Sequence, residues 1–209
     1  MDTPPVAPDV QQVLKHNRGL LYRQLGMRLA LAAALVALTY LLDVSGVPAS
    51  FLTGLPVIVA ALMMFFTLIR VGAGRRLKVC ERVLSAYPLE YRTRVVRKES
   101  QWLLLGDVHT VKLSVRGQHG APHMRALNAS TRRRWPQAAE DGGAWFAGDP
   151  AFGGVMIVPS TKDMLFLQPA GWDKFAAERE SADPARLARA QQAGITKKLE
   201  REPRVLPTG

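Results

Sequence analysis

The sequence predicts an α+β membrane protein: a two-helix transmembrane hairpin, then a small antiparallel β-barrel or sandwich, then C-terminal helices. Three observations predict this fold class. Between Leu29 and Ile69 the sequence carries one ionisable carboxylate or base, Asp43. After residue 88 about six short, β-branched or apolar runs follow one another, separated by turn residues. Two segments of helical pattern come after these runs, before a polar, proline-bearing end.

The long apolar region contains two candidate spans. Residues 29–42 form an apolar run of 14 residues and residues 50–69 one of 20, where a bilayer core takes about 20 helical residues. Arg28 can extend its charge towards the interface, so we place the spans at about 27–43 and 50–69. The intervening Asp, Gly and Pro are typical of a tight turn. A signal peptide is disfavoured because the second run follows at once.

Basic residues flank both spans, and the connecting loop has none. By the positive-inside rule this places both termini in the cytoplasm. The expected location is therefore the cell membrane, with a multi-pass chain and the lipid bilayer as its first partner. The residues expected at the membrane interface are Arg28, Arg70, Arg75, Arg76 and Lys78.

The chain divides into six predicted segments. They are a tail and amphipathic helix (1–25), the transmembrane hairpin (26–70), a helical neck (71–88), the cytoplasmic β-domain (89–170), C-terminal helices (171–195) and a loose tail (196–209). Apolar residues at helical spacing between residues 9 and 25 leave two alternatives open. This segment either lies on the inner leaflet or extends the first transmembrane helix into water.

Helix boundaries have clear local signals. In the neck, Leu77, Cys80 and Leu84 fall on one side of a helix that Pro88 ends. In the last helix Asp183 is a candidate N-cap, Pro184 a first helical residue and Gly194 a C-terminal stop.

The glycine-rich stretch GDPAFGG, residues 148–154, has the glycine spacing of a phosphate-binding loop. That loop needs Lys-Ser/Thr next and a helix behind it, so that backbone amides converge on the phosphate. Here Gly154 stands in place of the lysine and the β-branched run VMIVP follows. We therefore predict a hairpin turn, and a second turn at residues 159–163.

Other candidate sites are disfavoured. His119 and His123 are four apart, but Gly120 and Pro122 exclude the helix on which this spacing would suit a metal. Asp107 and His109 share a strand face without an identifiable nucleophile. A single cysteine without a neighbouring histidine is a weak nucleophile and forms no disulfide framework, as expected in a reducing compartment. We predict no catalytic residue, no metal, no cofactor and no enzyme activity.

The strongest chemical feature is the stretch TRRRWP, residues 131–136. Three arginines beside a tryptophan can bind phosphate oxygens of a lipid headgroup or stack on a base. The alternative is a solvated basic loop. The net charge of +11 is spread along the chain, so nucleic acid is not an expected partner. The anion-binding candidates are Arg132, Arg133, Arg134 and Trp135.

The hairpin, the basic neck and the run WFAGDPAFGGVMIVP…MLFLQP resemble the small two-span membrane proteins of actinobacteria, an uncharacterised class with a C-terminal β-rich domain. There is a looser similarity to NfeD-like membrane proteins, in which helices precede an OB-type barrel. The glycine-rich strand pattern that precedes the shared step in that family is missing here. Neither resemblance implies catalytic residues. The positions that match the NfeD-like pattern are Trp145, Ala147, Gly154, Val155, Ile157, Leu165 and Leu167.

The sequence thus predicts a non-enzymatic membrane protein that tethers a cytoplasmic β-domain, which binds a partner protein, a second copy of the chain or the membrane surface. Two alternatives remain. One is binding of an anionic ligand through the arginine loop, and the other is a membrane-bound enzyme of unknown reaction.

Overall fold

The computed structural model describes residues 5–45, 51–70, 72–103, 106–114, 122–129 and 135–198. The helices in these residues are Val10–Val44 (α1), Phe51–Arg70 (α2), Gly72–Ala86 (α3), Ala138–Gly142 (α4), Ala176–Glu180 (α5) and Pro184–Ala193 (α6). The strands are Glu90–Arg92 (β1), Arg94–Leu103 (β2), Gly106–Ser114 (β3), His123–Asn128 (β4), Ala144–Asp149 (β5), Gly153–Ile157 (β6) and Met164–Pro169 (β7). A 3-10 helix, Trp172–Phe175, precedes α5.

Helix α1 is continuous over 35 residues. It begins at Asp9, whose carboxylate accepts the backbone N–H of Gln11 at 2.9 Å and so satisfies a first-turn donor. The amphipathic segment and the first apolar run therefore form one continuous helix, and the position of this segment relative to the membrane stays a prediction. By length and composition α1 could cross a bilayer.

Helix α2 packs against α1. Its described apolar part, Gly54–Phe65, is shorter than a full span, so a second crossing remains a proposal. Ala32 on α1 and Ala60 on α2 are buried, whereas most of the described large apolar side chains around them are exposed. Small residues allow two helices to approach closely. The large apolar side chains of the pair therefore lie on its outer surface, away from the contact between the two helices.

The seven strands form one antiparallel sheet in the order β1-β5-β6-β7-β4-β3-β2. Strands β1 and β2 are consecutive in the chain but form opposite edges, and a register irregularity between Arg97 and Glu99 bends β2. The described strands make an open, curled sheet, a half-barrel. The predicted α+β class is confirmed, but the described strands form neither a closed barrel, since β1 and β2 are separate edges, nor a two-sheet sandwich, since helices cover one face.

That helix-covered face holds the first hydrophobic cluster. Val13 and Leu14 of α1, the apolar side of α3 and the end of α6 meet strands β5, β6 and β7 there. The predicted apolar side of α3, Leu77, Cys80 and Leu84, is buried, and the helix ends at Ala86, before Pro88, as predicted. Residues from the tail, the neck and the β-domain therefore share one core.

The opposite face of the sheet holds the second cluster, to which strands from β2 to β7 contribute. Helix α4 packs on β2 and leads into β5, so it closes part of the open side. Every residue of β6 and β7 is buried. Two covered faces explain why these strands are apolar throughout and not alternating.

Both predicted turns and the predicted caps of the last helix are confirmed. Residues 149–152 join β5 to β6, with Phe152 N–H donating to the Asp149 carbonyl at 3.0 Å. Gly153 has a φ of +122°, and a Cβ there would lie 2.6 Å from the Leu167 carbonyl oxygen, so only glycine fits without a shift. Asp183 caps α6 and Gly194 ends it in the left-handed conformation.

Asn17 ties α1 to the sheet. Its side chain is fully buried, and Nδ2 donates to the carbonyl oxygens of Val13 at 2.9 Å and of Lys162 at 2.8 Å. Lys162 lies in the β6–β7 turn with a φ of +56°. The bond therefore fixes the first half of α1 to a turn 145 residues away in sequence.

We expect Asn17→Ala to lower the unfolding free energy by about 1 kcal/mol, because it removes a part-buried hydrogen bond to the Lys162 carbonyl. Thermal unfolding of the detergent-solubilised chain, followed by tryptophan fluorescence, measures the change. Gln12→Ala, at an exposed position of the same helix, is the matched control. Equal unfolding temperatures for the two variants would contradict the assigned role of Asn17.

A candidate phosphate-binding pocket beside the apolar helices

A pocket of about 570 Å³ lies where α1, α2 and α3 meet. Its α1 wall comes from the stretch between Arg18 and Arg28, and its α3 wall from the stretch between Gly74 and Glu81. Thr67, near the end of α2, also lines it. The pocket therefore sits between the β-domain core and the exposed apolar part of the helix pair.

Helical spacing brings the pocket residues to its walls. On α1, Arg18, Tyr22 and Leu25 are separated by four and three residues, so they share one helix face. On α3, Arg75 and Lys78 are three apart for the same reason. Leu21, Leu25 and Leu77 supply the apolar part of the lining.

Among the described residues, four cationic side chains and one carboxylate line the pocket: Arg18, Arg28, Arg75, Lys78 and Glu81. The carboxylate is already paired, because Arg18 Nη2 lies 2.5 Å from Glu81 Oε2, with both side chains a little under half exposed (45% and 43%). The remaining cations give the pocket a positive potential. A planar guanidinium and a mobile ammonium together suit a tetrahedral phosphate.

The structure brings three of the five predicted membrane-interface residues together. Arg28, Arg75 and Lys78 line the pocket, whereas Arg76 points elsewhere on α3, partly buried. The side chain of Arg70 lies outside the described residues. Sequence reasoning did not single out Tyr22 or Glu81 for this site. The four-residue spacing of Arg18 and Tyr22 indicated that they share one face of α1. It could not indicate that this face lies against Glu81 of α3.

The arginine loop lies mostly beyond the described residues, which exclude Arg132, Arg133 and Arg134. Trp135 is described and is 8% exposed. Its ring contacts the His109 ring edge-on at 5.2 Å between centroids, and the Arg97 guanidinium lies 6.0 Å from its centroid. Trp135 therefore anchors the end of the loop in the second cluster, and anion binding by the arginines stays a prediction.

His109 has a neighbour that the sequence did not reveal. Ser100 faces it across the β2–β3 pair, and Ser100 Oγ lies 2.8 Å from His109 Nδ1. Asp107 Oδ1 is buried and has no hydrogen-bond partner among the described residues. Burial lowers the pKa of His109, with Arg97 acting in the same direction and Asp107 opposing it. The ring is therefore biased towards its neutral form.

The glycine-rich turn presents a carboxylate where a phosphate loop presents amides. Asp149 accepts the backbone N–H of Ala151 at 2.9 Å and two bonds from Arg186 of α6, one of them at 2.7 Å. These bonds raise the pKa of Arg186. The turn is thus tied to α6 by a bidentate ion pair, and its carboxylate would repel an anion.

Other chemical groups are buried or isolated. The thiol of Cys80 is fully buried, and burial raises its pKa to about 12, which keeps it protonated and unreactive at neutral pH. Within the described residues there is no group of three or more His, Cys, Asp or Glu placed to hold a metal. His123 is exposed at the start of β4, while His119 lies outside the described residues.

Comparison with protein-family models, with curated proteins and with solved structures gives no significant match to this chain. The similarity to actinobacterial two-span proteins and to NfeD-like proteins stays a prediction.

We expect His109 to destabilise the fold in acid. Its pKa is lowered in the folded chain, so below the unfolded value of about 6.5 the unfolded state takes up a proton that the folded state resists. The stabilisation by neutral His109 is complete above that value and is lost as the pH falls below it. We therefore measure the unfolding temperatures of the wild type and of His109→Gln from pH 7.5 to 5. As the pH falls, the unfolding temperature of the wild type should fall more than that of the variant. A difference that is independent of pH would contradict the buried neutral ring.

Proposed function

We propose that this chain is a two-span integral membrane protein that holds a non-enzymatic β half-barrel at the cytoplasmic face of the cell membrane. The half-barrel binds a partner protein, including a second copy of the chain, or the bilayer surface. One observation carries the proposal: the two halves of α1 meet different surroundings although they belong to one helix.

The first half of α1 is partly buried in protein, and the second half exposes hydrocarbon. From Met27 on α1 to Phe65 on α2, fifteen large apolar side chains among the described residues are more than about a third exposed. On the surface of a soluble protein, exposed large apolar side chains are scattered and do not form one group of this size. Lipid acyl chains would remove these side chains from water without a further protein partner.

The shared core supports two crossings and not one. Val13 and Leu14 of α1 lie in the same cluster as Cys80 and Val83 of α3, so the flanks of the hairpin are on the same side of any membrane. If α1 crosses, the chain must return between residues 45 and 71. Helix α2, with 20 residues, is about 30 Å long at 1.5 Å per residue, which matches the bilayer core.

Side-chain charge supports the cytoplasmic side. The bases Lys15, Arg18, Arg23 and Arg28 lie on the domain side of the first apolar run, and Arg75 and Lys78 follow the second. The positive-inside rule assigns this side to the cytoplasm.

A binding role is favoured over catalysis by the state of the reactive groups. Cys80 is buried and protonated, and the Ser100–His109 pair lies against the buried Trp135 ring. A serine and a histidine at hydrogen-bond distance also occur as an ordinary cross-strand contact.

We expect the chain to stay in the membrane fraction after alkaline carbonate extraction, because apolar helices in lipid are not released by loss of charge. Reporters fused at Met1 and at Gly209 should be active only where they function in the cytoplasm, and a reporter inserted between residues 46 and 50 only outside it. Release by carbonate, or a periplasmic or extracellular readout at either terminus, would overturn the proposed topology.

We also expect the β-domain to form contacts in intact membranes. A photo-crosslinking amino acid at Lys98 on β2 or His123 on β4, both exposed, should yield adducts with a protein or with lipid, and the mass of the adduct identifies which. The buried position Phe152 is the matched control. Adducts from neither exposed position would count against a binding module.

A further inference from the structure

We propose that the pocket between α1 and α3 binds the phosphate headgroup of an anionic phospholipid from the cytoplasmic leaflet. This inference rests on the membrane location proposed above and goes beyond it, because it names a defined lipid site and not a general attraction to the bilayer surface.

The position of the pocket suits a lipid. It ends at Arg28 on α1 and at Thr67 on α2, which are next to the exposed apolar side chains of both helices. In a membrane this is the level at which headgroups meet hydrocarbon. A phosphate seated between Arg28, Arg75 and Lys78 would leave its acyl chains free to continue along the apolar helix surfaces.

The charge of the pocket suits an anion. In the described part of the lining, four cations face one carboxylate, and that carboxylate, Glu81, is paired with Arg18. A zwitterionic headgroup adds a cation that this potential repels, whereas a phosphate with an uncharged alcohol does not. Basic pockets beside membrane helices on the cytoplasmic side are suited to acidic headgroups.

The lining also suits the first part of the acyl chains of a lipid. Leu21, Leu25 and Leu77 line the pocket together with the exposed Tyr22. A free phosphate ion would gain nothing from these apolar groups. The mixture of bases and leucines therefore favours a lipid over a small soluble phosphate.

The test uses full-length protein in a neutral detergent and short-chain lipids as probes. Dioctanoyl phosphatidylglycerol is compared with dioctanoyl phosphatidylcholine and with glycerol 1-phosphate, and the rise in unfolding temperature with probe concentration gives the affinity. We expect stabilisation by the anionic lipid alone, and stabilisation that weakens with salt.

Two variants address the pocket. Arg28→Gln/Lys78→Gln removes two of the four cations and should weaken binding by about tenfold or more, as expected for lost charge-assisted bonds to phosphate. Gly74→Leu keeps every charge but fills space, because a Cβ at Gly74 meets no atom within 4 Å. It should weaken binding similarly by steric exclusion.

The matched control is Lys15→Gln/Arg23→Gln, which removes the same charge from exposed positions of α1 that do not line the pocket. It should change the affinity by less than about twofold, as a screened surface effect. An equal loss in the control, or no loss in Gly74→Leu, would overturn the site, and so would equal stabilisation by phosphatidylcholine.

Two further outcomes separate the sources of failure. Binding of glycerol 1-phosphate as tight as that of the lipid would identify a soluble phosphate ligand and refute the lipid. A chain that resists carbonate extraction yet binds no anionic lipid would refute the pocket alone, whereas a chain released by carbonate would refute the membrane proposal itself.

Discussion

The continuity of α1 is the constraint on which the rest of the structure depends. A helix of 35 residues is a rod of about 52 Å at 1.5 Å per residue. Its first half is fixed to the sheet by Val13, Leu14 and the bond from Asn17 to the Lys162 carbonyl. Because no break separates the halves, the direction of the apolar half is set by the packing of the first. The position of the pocket relative to the sheet follows from the same rigidity.

Helices α1 and α3 also complete the fold of the β-domain. Strands β6 and β7 are buried throughout, and the helix-covered face of both strands relies on side chains from outside the sheet, such as Leu14 and Val83. Removing these helices would expose Phe166 and Ile157, each fully buried side chain of this kind contributing about 1.5–3 kcal/mol. The β-domain is therefore not an independent module attached by a flexible neck. Its folding is coupled to the placement of the helices next to the apolar pair.

Local signals were readable from the sequence, and long-range contacts were not. The cap at Asp183, the stop at Gly194 and the turn at Asp149 depend on residues close in sequence, so composition predicted them. The half-barrel depends on β1 and β2 lying at opposite edges of the sheet, and no local sequence pattern predicts that placement. In the same way Arg18 and Glu81 are 63 residues apart, and Ser100 meets His109 only through strand register. The candidate pocket was therefore predicted in part, as a set of interface bases without their partners.

Glu81 separates two explanations of the bases around the pocket. A positive flank that only orients the chain needs an excess of Lys and Arg within a short distance of the span, and carboxylates contribute little to that signal. It needs no cavity and no arrangement of its members. Here Glu81 holds Arg18 at one wall of the pocket, while Arg28 and Lys78 come from two other positions around it. An ion pair that fixes one wall, and cations from two helices around one shared pocket, are features that recognition requires and orientation does not. In our two proposals the bases therefore have two roles, orientation and headgroup binding, and the second depends on the helix packing that α1 imposes.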